Sequence, residues 1–274
     1  MPSLTRKRAL VTGASSGIGA AIARLLAAEG VELILTARRK HALDEVAAEC
    51  TARGATVHVI AADLGKPGGA AALWTVATAI GAIEILVNNA GFGYFRRFSE
   101  ADGDRDAELL QLNVTSLVEL SRRFVDARAG EPARSYLLNI ASIAAYQSVP
   151  SFAVYASSKA FVRNFTEALH DELARTPLSA TCVCPGGTMT EFHAHAGAGN
   201  YSWLANRSMM SAEAVAKVAI RAMRKGKRTV IPGVLNKLSC WSVRLVPRWF
   251  ASWMSARVLG KPRAGDLPSR TNAA

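Results

Sequence analysis

Long apolar runs are missing from this sequence. No stretch of about 18 uncharged apolar residues occurs, so we predict no helix that spans a bilayer. The first apolar run, residues 9–11, is too short for the core of a signal peptide. The four cysteines form no CxxC pair and suggest no disulfide framework, so we expect a reducing, cytoplasmic setting. With 274 residues, half of them hydrophobic, the chain can bury a large core as one domain, or two at most.

Acidic residues are nearly absent from the C-terminal part of the chain. Residues 221–274 contain 12 Lys and Arg against one acid, Asp266. The 220 residues before them carry 21 basic and 20 acidic side chains. The formal net charge of +12 therefore belongs to the tail and says little about the body of the protein.

Short β-branched runs alternate with longer amphipathic stretches along most of the chain. The strand-like runs are 8–12, 31–37, 56–62, 83–89, 135–141, 179–184 and 228–232, and the helical stretches include 17–29, 40–53, 105–128 and 152–175. Most of the strand-like runs are apolar on both faces, which suits a parallel sheet covered by helices on each side. We therefore predict a doubly wound, mostly seven-stranded parallel α/β sheet.

A glycine-rich turn, "TGASSGIG", follows the first strand-like run and opens the first helical stretch. Gly13, Gly17 and Gly19 would permit a tight turn and a close backbone approach. The helix N-terminus behind them would present N–H groups and a partial positive charge to a phosphate. The spacing is GxxxGxG, so the more common GxGxxG dinucleotide pattern is not matched as written. An ordinary strand-to-helix turn remains the alternative.

The end of the second strand-like run indicates which dinucleotide would bind. Many folds of this type place an acid here for the ribose 2′-hydroxyl. This sequence has Ala37 at that position, followed by Arg38 and Arg39. A guanidinium group suits a phosphate, so the pattern favours NADP(H) over NAD(H). The alternative is a solvated basic turn.

Tyr155 and Lys159 are four residues apart in "YASSK", so they share one face of a helix. By itself the pair is consistent with a solvated surface or with a phenol whose proton is made mobile by an ammonium group. A cation about 4 Å away, at an effective dielectric of about 20, provides on the order of 4 kcal/mol. That is roughly the free energy needed to lower a tyrosine pKa from about 10 to about 7.

Taken together, these motifs resemble those of the short-chain dehydrogenase/reductase (SDR) family over about residues 6–232. The motifs are "TGASSGIG" (12–19), Asp63 after the third strand, "NNAG" (88–91), Asn113 in a helix, Ser142 after the fifth strand, "YASSK" (155–159) and "PGGTMT" (185–190). The resemblance implies a single Rossmann-type NADP(H)-binding catalytic domain over residues 1–232. It also implies hydride transfer between nicotinamide and a secondary alcohol or its ketone. We further expect a homodimer or homotetramer.

The resemblance also implies a role for each catalytic residue. Tyr155 would be the general acid in carbonyl reduction or the base in alcohol oxidation, and Ser142 would hydrogen-bond the substrate oxygen. Lys159 would bind the nicotinamide ribose and lower the pKa of Tyr155, while Asn113 would hold a water that links Lys159 to solvent. The implied cofactor-binding residues are Gly13, Ser15, Ser16, Gly17, Ile18, Gly19, Arg38, Arg39, Asp63, Leu64, Asn89, Ala90, Gly91, Tyr155, Lys159, Pro185, Gly186, Thr188 and Thr190.

No metal site is expected. Cys182 and Cys184 fall on a predicted buried strand, where cysteine is an ordinary small hydrophobe. His193 and His195 fall in a loop that this fold usually uses for substrate, and neither pair has zinc-finger spacing.

The expected walls of the substrate pocket are largely apolar and aromatic. They are Phe92, Tyr94, Phe95, Ile143, Tyr146 and the segment 192–204. No basic pair marks a phosphate-bearing substrate, so we expect an apolar ketone or alcohol, such as an acyl, steroid-like or prenyl compound. The same residues are equally consistent with plain packing. A non-catalytic NADP-binding sensor or scaffold on the same fold is the alternative function.

Residues 233–274 form a basic, aromatic-rich extension with a disordered end, which the resemblance does not explain. Its apolar residues recur at helical spacing: Leu235, Leu238, Trp241 and Leu245, and after Pro247, Trp249, Phe250, Trp253, Met254 and Val258. Basic residues stand among them, namely Lys237, Arg244, Arg248 and Arg257. The pattern is consistent with a helix pair packed on the body as a lid or subunit interface, or with peripheral contact to an anionic membrane. A nucleic-acid contact is a third reading, but we expect no nucleic-acid partner.

Overall fold

The computed structural model describes residues 3–189 and 208–259. Its strands are β1 (Arg8–Thr12), β2 (Glu32–Ala37), β3 (Val57–Ala61), β4 (Ile85–Asn88), β5 (Ser135–Ile140), β6 (Leu178–Val183), β7 (Thr188–Met189), β8 (Met210–Ser211) and β9 (Thr229–Val230). Seven of them form one sheet in the order β3-β2-β1-β4-β5-β6-β9, and each neighbouring pair runs parallel. The two short strands β7 and β8 pair separately.

Helices cover both faces of the sheet. They are α1 (Gly17–Ala28), α2 (Lys40–Thr51), α3 (Gly69–Ile80), α4 (Gly103–Leu110), α5 (Leu117–Arg128), α6 (Ala153–Glu172), α7 (Ala212–Arg224), α8 (Val234–Ser242) and α9 (Arg248–Leu259). One core layer joins the sheet to α1, α2 and α7, and the other joins it to α3, α4, α5 and α6. Strand β1 contributes side chains to both layers, because Ala9 and Val11 point to the first and Leu10 points to the second. The predicted doubly wound sheet is confirmed.

The helical stretch predicted at 105–128 contains a π-helical turn. Helix α4 ends at Leu110, a π-helix spans Gln111–Ser116, and α5 begins at Leu117. Asn113 is buried within the π-helical turn. Such turns occur frequently at functional sites, because the changed helical spacing redirects a side chain.

The C-terminal segment, defined here as residues 233–259, consists of α8, a 3₁₀ turn and α9. Its fully buried polar side chains hold it to the body of the protein. Asn236 Nδ2 donates to the Ser208 carbonyl oxygen at 3.3 Å. Ser255 Oγ donates to the Ser148 carbonyl oxygen at 2.9 Å. The segment is therefore anchored near both of its helices.

Much of the apolar stripe predicted for the first half of this segment is exposed to solvent. Leu238, Trp241 and Leu245 are 60%, 63% and 79% exposed. The side of α8 that carries Asn236 and Cys240 is buried instead. The division of the chain at residue 232 stays a prediction, and residues 260–274 lie outside the described part. No helix in the described ranges is both long and apolar enough to cross a membrane.

Candidate active site

A cavity of about 800 Å³ opens at the carboxyl-terminal edge of the sheet. It lies beyond the ends of β1, β4, β5 and β6 and is bounded on its far side by α8 and α9. Ligands of open parallel sheets bind at this edge, where the strand order reverses. The volume lies in the upper part of the range for ligand sites, so there is room for two ligands side by side.

Most of the predicted site residues line this cavity. They are Gly13, Ser15, Ser16, Gly17, Ile18, Arg38, Asp63, Leu64, Asn89, Ala90, Gly91, Ser142, Tyr155, Lys159, Pro185, Gly186 and Thr188. Gly19, Arg39 and Asn113 are not part of the lining. Thr190 lies outside the described residues. The structure therefore brings residues from six separate motifs to one place.

The glycine turn leaves an open cradle at the start of α1. Gly13 adopts a left-handed φ of +63°, and a Cβ there would lie 2.8 Å from Asn89 Nδ2. A Cβ on Gly19 would lie 2.2 Å from the Gly13 oxygen, so Gly19 lets the helix pack directly behind the turn. The side chain of Ser16, the N-cap residue, makes no capping hydrogen bond, and Ile18 lines the cavity. The first N–H groups of α1 are thus placed to bind the pyrophosphate of a dinucleotide.

Two arginines lie beside this cradle, where β2 ends. Arg38 Nη1 donates to Glu108 Oε1 at 2.9 Å, and Arg38 lines the cavity. Arg39 Nη2 donates to Ser16 Oγ at 3.3 Å, which places its guanidinium group against the glycine turn. Ala37, which holds the position where an acid would bind a ribose hydroxyl, is uncharged. The arrangement suits an anionic group next to the adenosine ribose.

Tyr155 and Lys159 are buried on one face of α6, as their spacing predicts. Lys159 Nζ lies 5.8 Å from the centroid of the Tyr155 ring and donates to the Ile140 carbonyl oxygen at 3.0 Å. Burial lowers the pKa of Lys159 to about 8, because the ammonium group loses its hydration. At neutral pH the group is still mostly protonated, so it places a positive charge beside Tyr155.

Asn113 lies next to Lys159 but behind the cavity wall. Its Nδ2 donates to the Phe92 carbonyl oxygen at 2.9 Å, and its Oδ1 accepts from the Phe92 N–H at 3.1 Å. A Cβ on Gly91 would lie 2.9 Å from Asn113 Oδ1 and 3.2 Å from Lys159 Nζ, so both polar groups flank this glycine. The structure therefore shows Asn113 fixing the backbone after "NNAG". Its part in a water relay stays a prediction.

Ser142 follows β5 and lines the cavity. Its Oγ accepts a hydrogen bond from the Ala144 N–H at 3.1 Å, which caps a short 3₁₀ helix. Because the hydroxyl hydrogen is not used in that bond, Ser142 can donate it to a ligand oxygen.

Three residues that support the site were not predicted. The ring of Phe152 stacks on Tyr155 with centroids 4.2 Å apart, and a Cβ on Gly93 would lie 2.4 Å from Tyr155 Cδ2. Phe152 precedes Tyr155 by three residues, so helical spacing was a usable signal for it. Gly93 contacts Tyr155, and Glu108 accepts a hydrogen bond from Arg38. The partners in each pair are more than sixty positions apart in the sequence, and no local pattern indicates such pairs.

The predicted pocket walls are mostly in place. Phe92, Phe95, Ile143 and Tyr146 line the cavity. The prediction for Tyr94 is wrong, because its hydroxyl donates to the carboxylate of Asp106 and its ring packs away from the cavity. The segment 192–204 lies outside the described residues.

Further apolar walls come from residues that the sequence did not single out as pocket walls. They are Val149, Phe152, Leu235, Leu238, Val243, Val246, Phe250, Met254 and Val258. Most of them belong to the C-terminal segment, which therefore closes the side of the cavity opposite the glycine turn.

The cysteines of β6 lie together in the core. Cys182 and Cys184 are buried with their sulfur atoms 3.7 Å apart. The hydrogen bond between the two sulfur atoms and burial raise the pKa of the Cys182 thiol, which disfavours the thiolate that a metal would need. Within residues 3–189 and 208–259 no group of three or more potential metal ligands occurs. His193 and His195 lie outside these ranges.

Two solved structures share this fold over nearly their whole length. A short-chain dehydrogenase from Sphingobium yanoikuyae in complex with NADPH has a TM-score of 0.78 at 27% identity, with 95% of this chain and 99% of that chain covered. A short-chain dehydrogenase/reductase from Burkholderia phymatum in complex with NAD has a TM-score of 0.78 at 24% identity, covering 98% and 100%. The fold is thus compatible with either dinucleotide.

Sequence comparison identifies the family. The uncharacterized oxidoreductase YvrD of Bacillus subtilis (strain 168) is 34% identical over 188 residues, which are 69% of this chain and 71% of that protein. Residues 7–200 match the family model described as short chain dehydrogenase. Because this match covers most of the sequence, the chain belongs to the short-chain dehydrogenase/reductase family, a family of oxidoreductases that act on alcohol and ketone groups.

Proposed function

We propose that the protein is an NADP(H)-dependent carbonyl reductase, or secondary alcohol dehydrogenase, for an apolar substrate. The observation that carries this proposal is the common location of Ser142, Tyr155 and Lys159, which line one cavity together with the glycine turn. When bound, the dinucleotide would supply or accept the hydride. The side chains of the protein would bind the two ligands and transfer the proton.

Tyr155 is the proposed general acid in the reductive direction. Its phenol would give a proton to the carbonyl oxygen, and Ser142 would donate a hydrogen bond to the same oxygen. The ammonium group of Lys159 stabilises the resulting phenolate, because two opposite charges attract strongly in a site with little water. Stacking on Phe152 and the contact with Gly93 keep the phenol ring in one orientation.

The preference for NADP(H) over NAD(H) rests on the two arginines. Arg38 would bind the 2′-phosphate, with Arg39 assisting from the side of Ser16. A guanidinium group has five N–H donors, and the hydrogen bond to Glu108 uses one nitrogen of Arg38. Glu108 would therefore orient Arg38 without preventing it from binding a phosphate. The absence of an acid at Ala37 removes a charge that would repel one.

The proposed substrate is an apolar ketone or secondary alcohol. On the side away from the glycine turn the cavity is walled by aliphatic and aromatic groups such as Phe92, Phe95, Phe250 and Met254. Burying a polar or charged substituent against these aliphatic and aromatic groups would cost free energy. A bulky hydrocarbon next to the carbonyl group would gain free energy from the same burial.

The proposal is tested with a panel of ketones and NADPH, read as the loss of NADPH absorbance. Tyr155→Phe should reduce turnover at least about 100-fold while leaving NADPH affinity nearly unchanged, since the ring and its packing remain. Tyr136→Phe is the matched control, because it removes a phenol from the buried strand β5 away from the cavity.

A Tyr155→Phe enzyme that kept more than about a tenth of the wild-type rate would refute the acid role. Wild-type protein that bound NADPH tightly but reduced no ketone of the panel would instead support the sensor or scaffold alternative.

A further inference from the structure

The outer faces of α8 and α9 expose large apolar side chains to solvent. On α8 and the turn after it, Leu238, Trp241 and Leu245 are 60%, 63% and 79% exposed. On α9, Trp249 and Trp253 are 71% and 45% exposed. Apolar residues scattered singly over a surface are ordinary, but five in one short segment need a partner of some kind.

Helical geometry places these side chains, except Leu238, which also reaches the cavity, away from the side that closes the cavity. At about 100° per residue, Trp241 lies on the other side of α8 from the buried Asn236 and Cys240. On α9, Trp249 and Trp253 lie opposite the buried Ala251 and Ser255 in the same way. Closing the cavity therefore does not explain why the outer faces are apolar.

The charges among these residues all have one sign. Lys237, Arg244, Arg248 and Arg257 are exposed, and residues 233–259 contain no Asp or Glu. The Arg257 guanidinium group lies 4.1 Å from the centroid of the Trp253 ring, a cation–π contact that leaves both groups at the surface. The outer faces thus combine tryptophan, leucine and positive charge, with no acidic residue in the same segment.

This combination identifies the partner by its chemistry. Tryptophan prefers the boundary between water and hydrocarbon, and arginine and lysine can reach from an apolar surface to a charged headgroup. A second copy of the chain is disfavoured, because a two-fold contact through this face would bring four cations against four cations. Nucleic acid would satisfy the charges but leave the leucines and much of the indole surface without an apolar partner.

We propose that the outer faces of α8 and α9 dock on the surface of an anionic lipid bilayer. The indole rings and leucines would enter the headgroup region, and the four basic side chains would pair with lipid phosphate and carboxylate groups. The segment that docks is the segment that walls the cavity, so the cavity would lie close to the membrane surface. The docking itself does not depend on the catalytic proposal.

The test is flotation of the full-length protein with vesicles of phosphatidylcholine alone or mixed with phosphatidylglycerol, at low salt. Wild-type protein should float with the anionic vesicles and not with the neutral ones. Arg244→Glu combined with Arg248→Glu should weaken binding at least about 30-fold, because each basic residue near the surface contributes about fivefold and the new glutamates add repulsion. Raising the salt should release the wild type.

The matched control reverses two charges elsewhere. Arg175 and Lys227 are exposed in the turns before β6 and β9, at the amino-terminal edge of the sheet, away from the cavity. Arg175→Glu combined with Lys227→Glu changes the net charge by the same amount and should leave flotation unchanged.

A second measurement tests whether the tryptophans enter the headgroup region. Lipids brominated near the headgroup should quench the tryptophan fluorescence of the wild type. The quenching should be weaker in the variant that combines Trp241→Ser with Trp249→Ser.

Several outcomes overturn the proposal. Wild-type protein that stays in the soluble fraction with anionic vesicles at low salt refutes docking. Equal loss of binding in the control variant would show a general charge effect with no defined surface. A stable dimer in solution that is broken by Trp241→Ser with Trp249→Ser, without vesicle binding, would assign the face to a second copy. Salt-dependent binding to DNA without vesicle binding would assign it to nucleic acid.

Discussion

The buried ammonium group of Lys159 should make the stability of the cofactor-free protein depend on pH in a way that one substitution can isolate. Its folded-state pKa is lowered to about 8 from an ordinary value of 10.5, because burial removes water from the charge. Between these two values the unfolded chain binds more protons than the folded one. Stability attributable to this residue therefore rises as pH increases from about 8 to about 10.5.

The sign can be checked at the two extremes. Below the folded-state pKa, Lys159 is charged in both states and the full desolvation cost acts against folding. Above the unfolded-state pKa it is neutral in both states and the cost has disappeared. A shift of this size corresponds to about 3 kcal/mol in total, and about 2–3 kcal/mol of it falls between about pH 7 and pH 10.

Lys159→Met keeps most of the side-chain volume and removes the charge. The variant also loses the hydrogen bond from Lys159 to the Ile140 carbonyl, which changes the free energy of unfolding by an amount that barely depends on pH. The quantity to measure is therefore the difference in unfolding free energy between variant and wild type, from urea titrations at several pH values. The variant should be favoured most near pH 7, and its advantage should shrink by about 2–3 kcal/mol towards pH 10.

A control with Lys227→Met removes one positive charge from an exposed site and reports the effect of net charge alone. A difference between Lys159→Met and wild type that stayed constant with pH, or grew as pH rose, would refute the reasoning. It would mean that Lys159 is hydrated in the free protein, and that its ammonium is not held in a site with little water.

Further predictions concern cofactor choice, ring position and the support of the site. Arg38→Ala should weaken NADPH binding about 10- to 150-fold and NADH binding much less, and equal losses in fluorescence titrations would show a structural role. In Gly93→Ala the new Cβ would lie 2.4 Å from Tyr155 Cδ2, so the ring must shift. Turnover should then fall at least about tenfold at nearly unchanged NADPH affinity. Asn113→Ala leaves the buried backbone groups of Phe92 without partners and should lower the free energy of unfolding by about 2–4 kcal/mol in urea titrations.

The features that the sequence determined are those with a local signal. Strand-like runs apolar on both faces indicated a buried parallel sheet, since burial on both faces leaves no polar alternation. The spacing of Tyr155 and Lys159 placed both on one side of α6, because four residues make about one helical turn. The glycines of the first turn marked a close backbone approach, and a Cβ on Gly13 would indeed lie only 2.8 Å from Ala90 Cα.

Contacts between distant parts of the chain were decided only by the tertiary structure. The pairing of Arg38 with Glu108 and the fit of Gly93 under Tyr155 join residues about sixty to seventy positions apart, and nothing in either neighbourhood specifies the other. Helical periodicity located an apolar stripe on α8, and the simplest rule would have buried it. The structure buries the face with Asn236, where that side chain donates to the Ser208 carbonyl and packs against Gly186. Periodicity specifies which residues share a helix face, but only packing against the rest of the molecule specifies which face meets solvent.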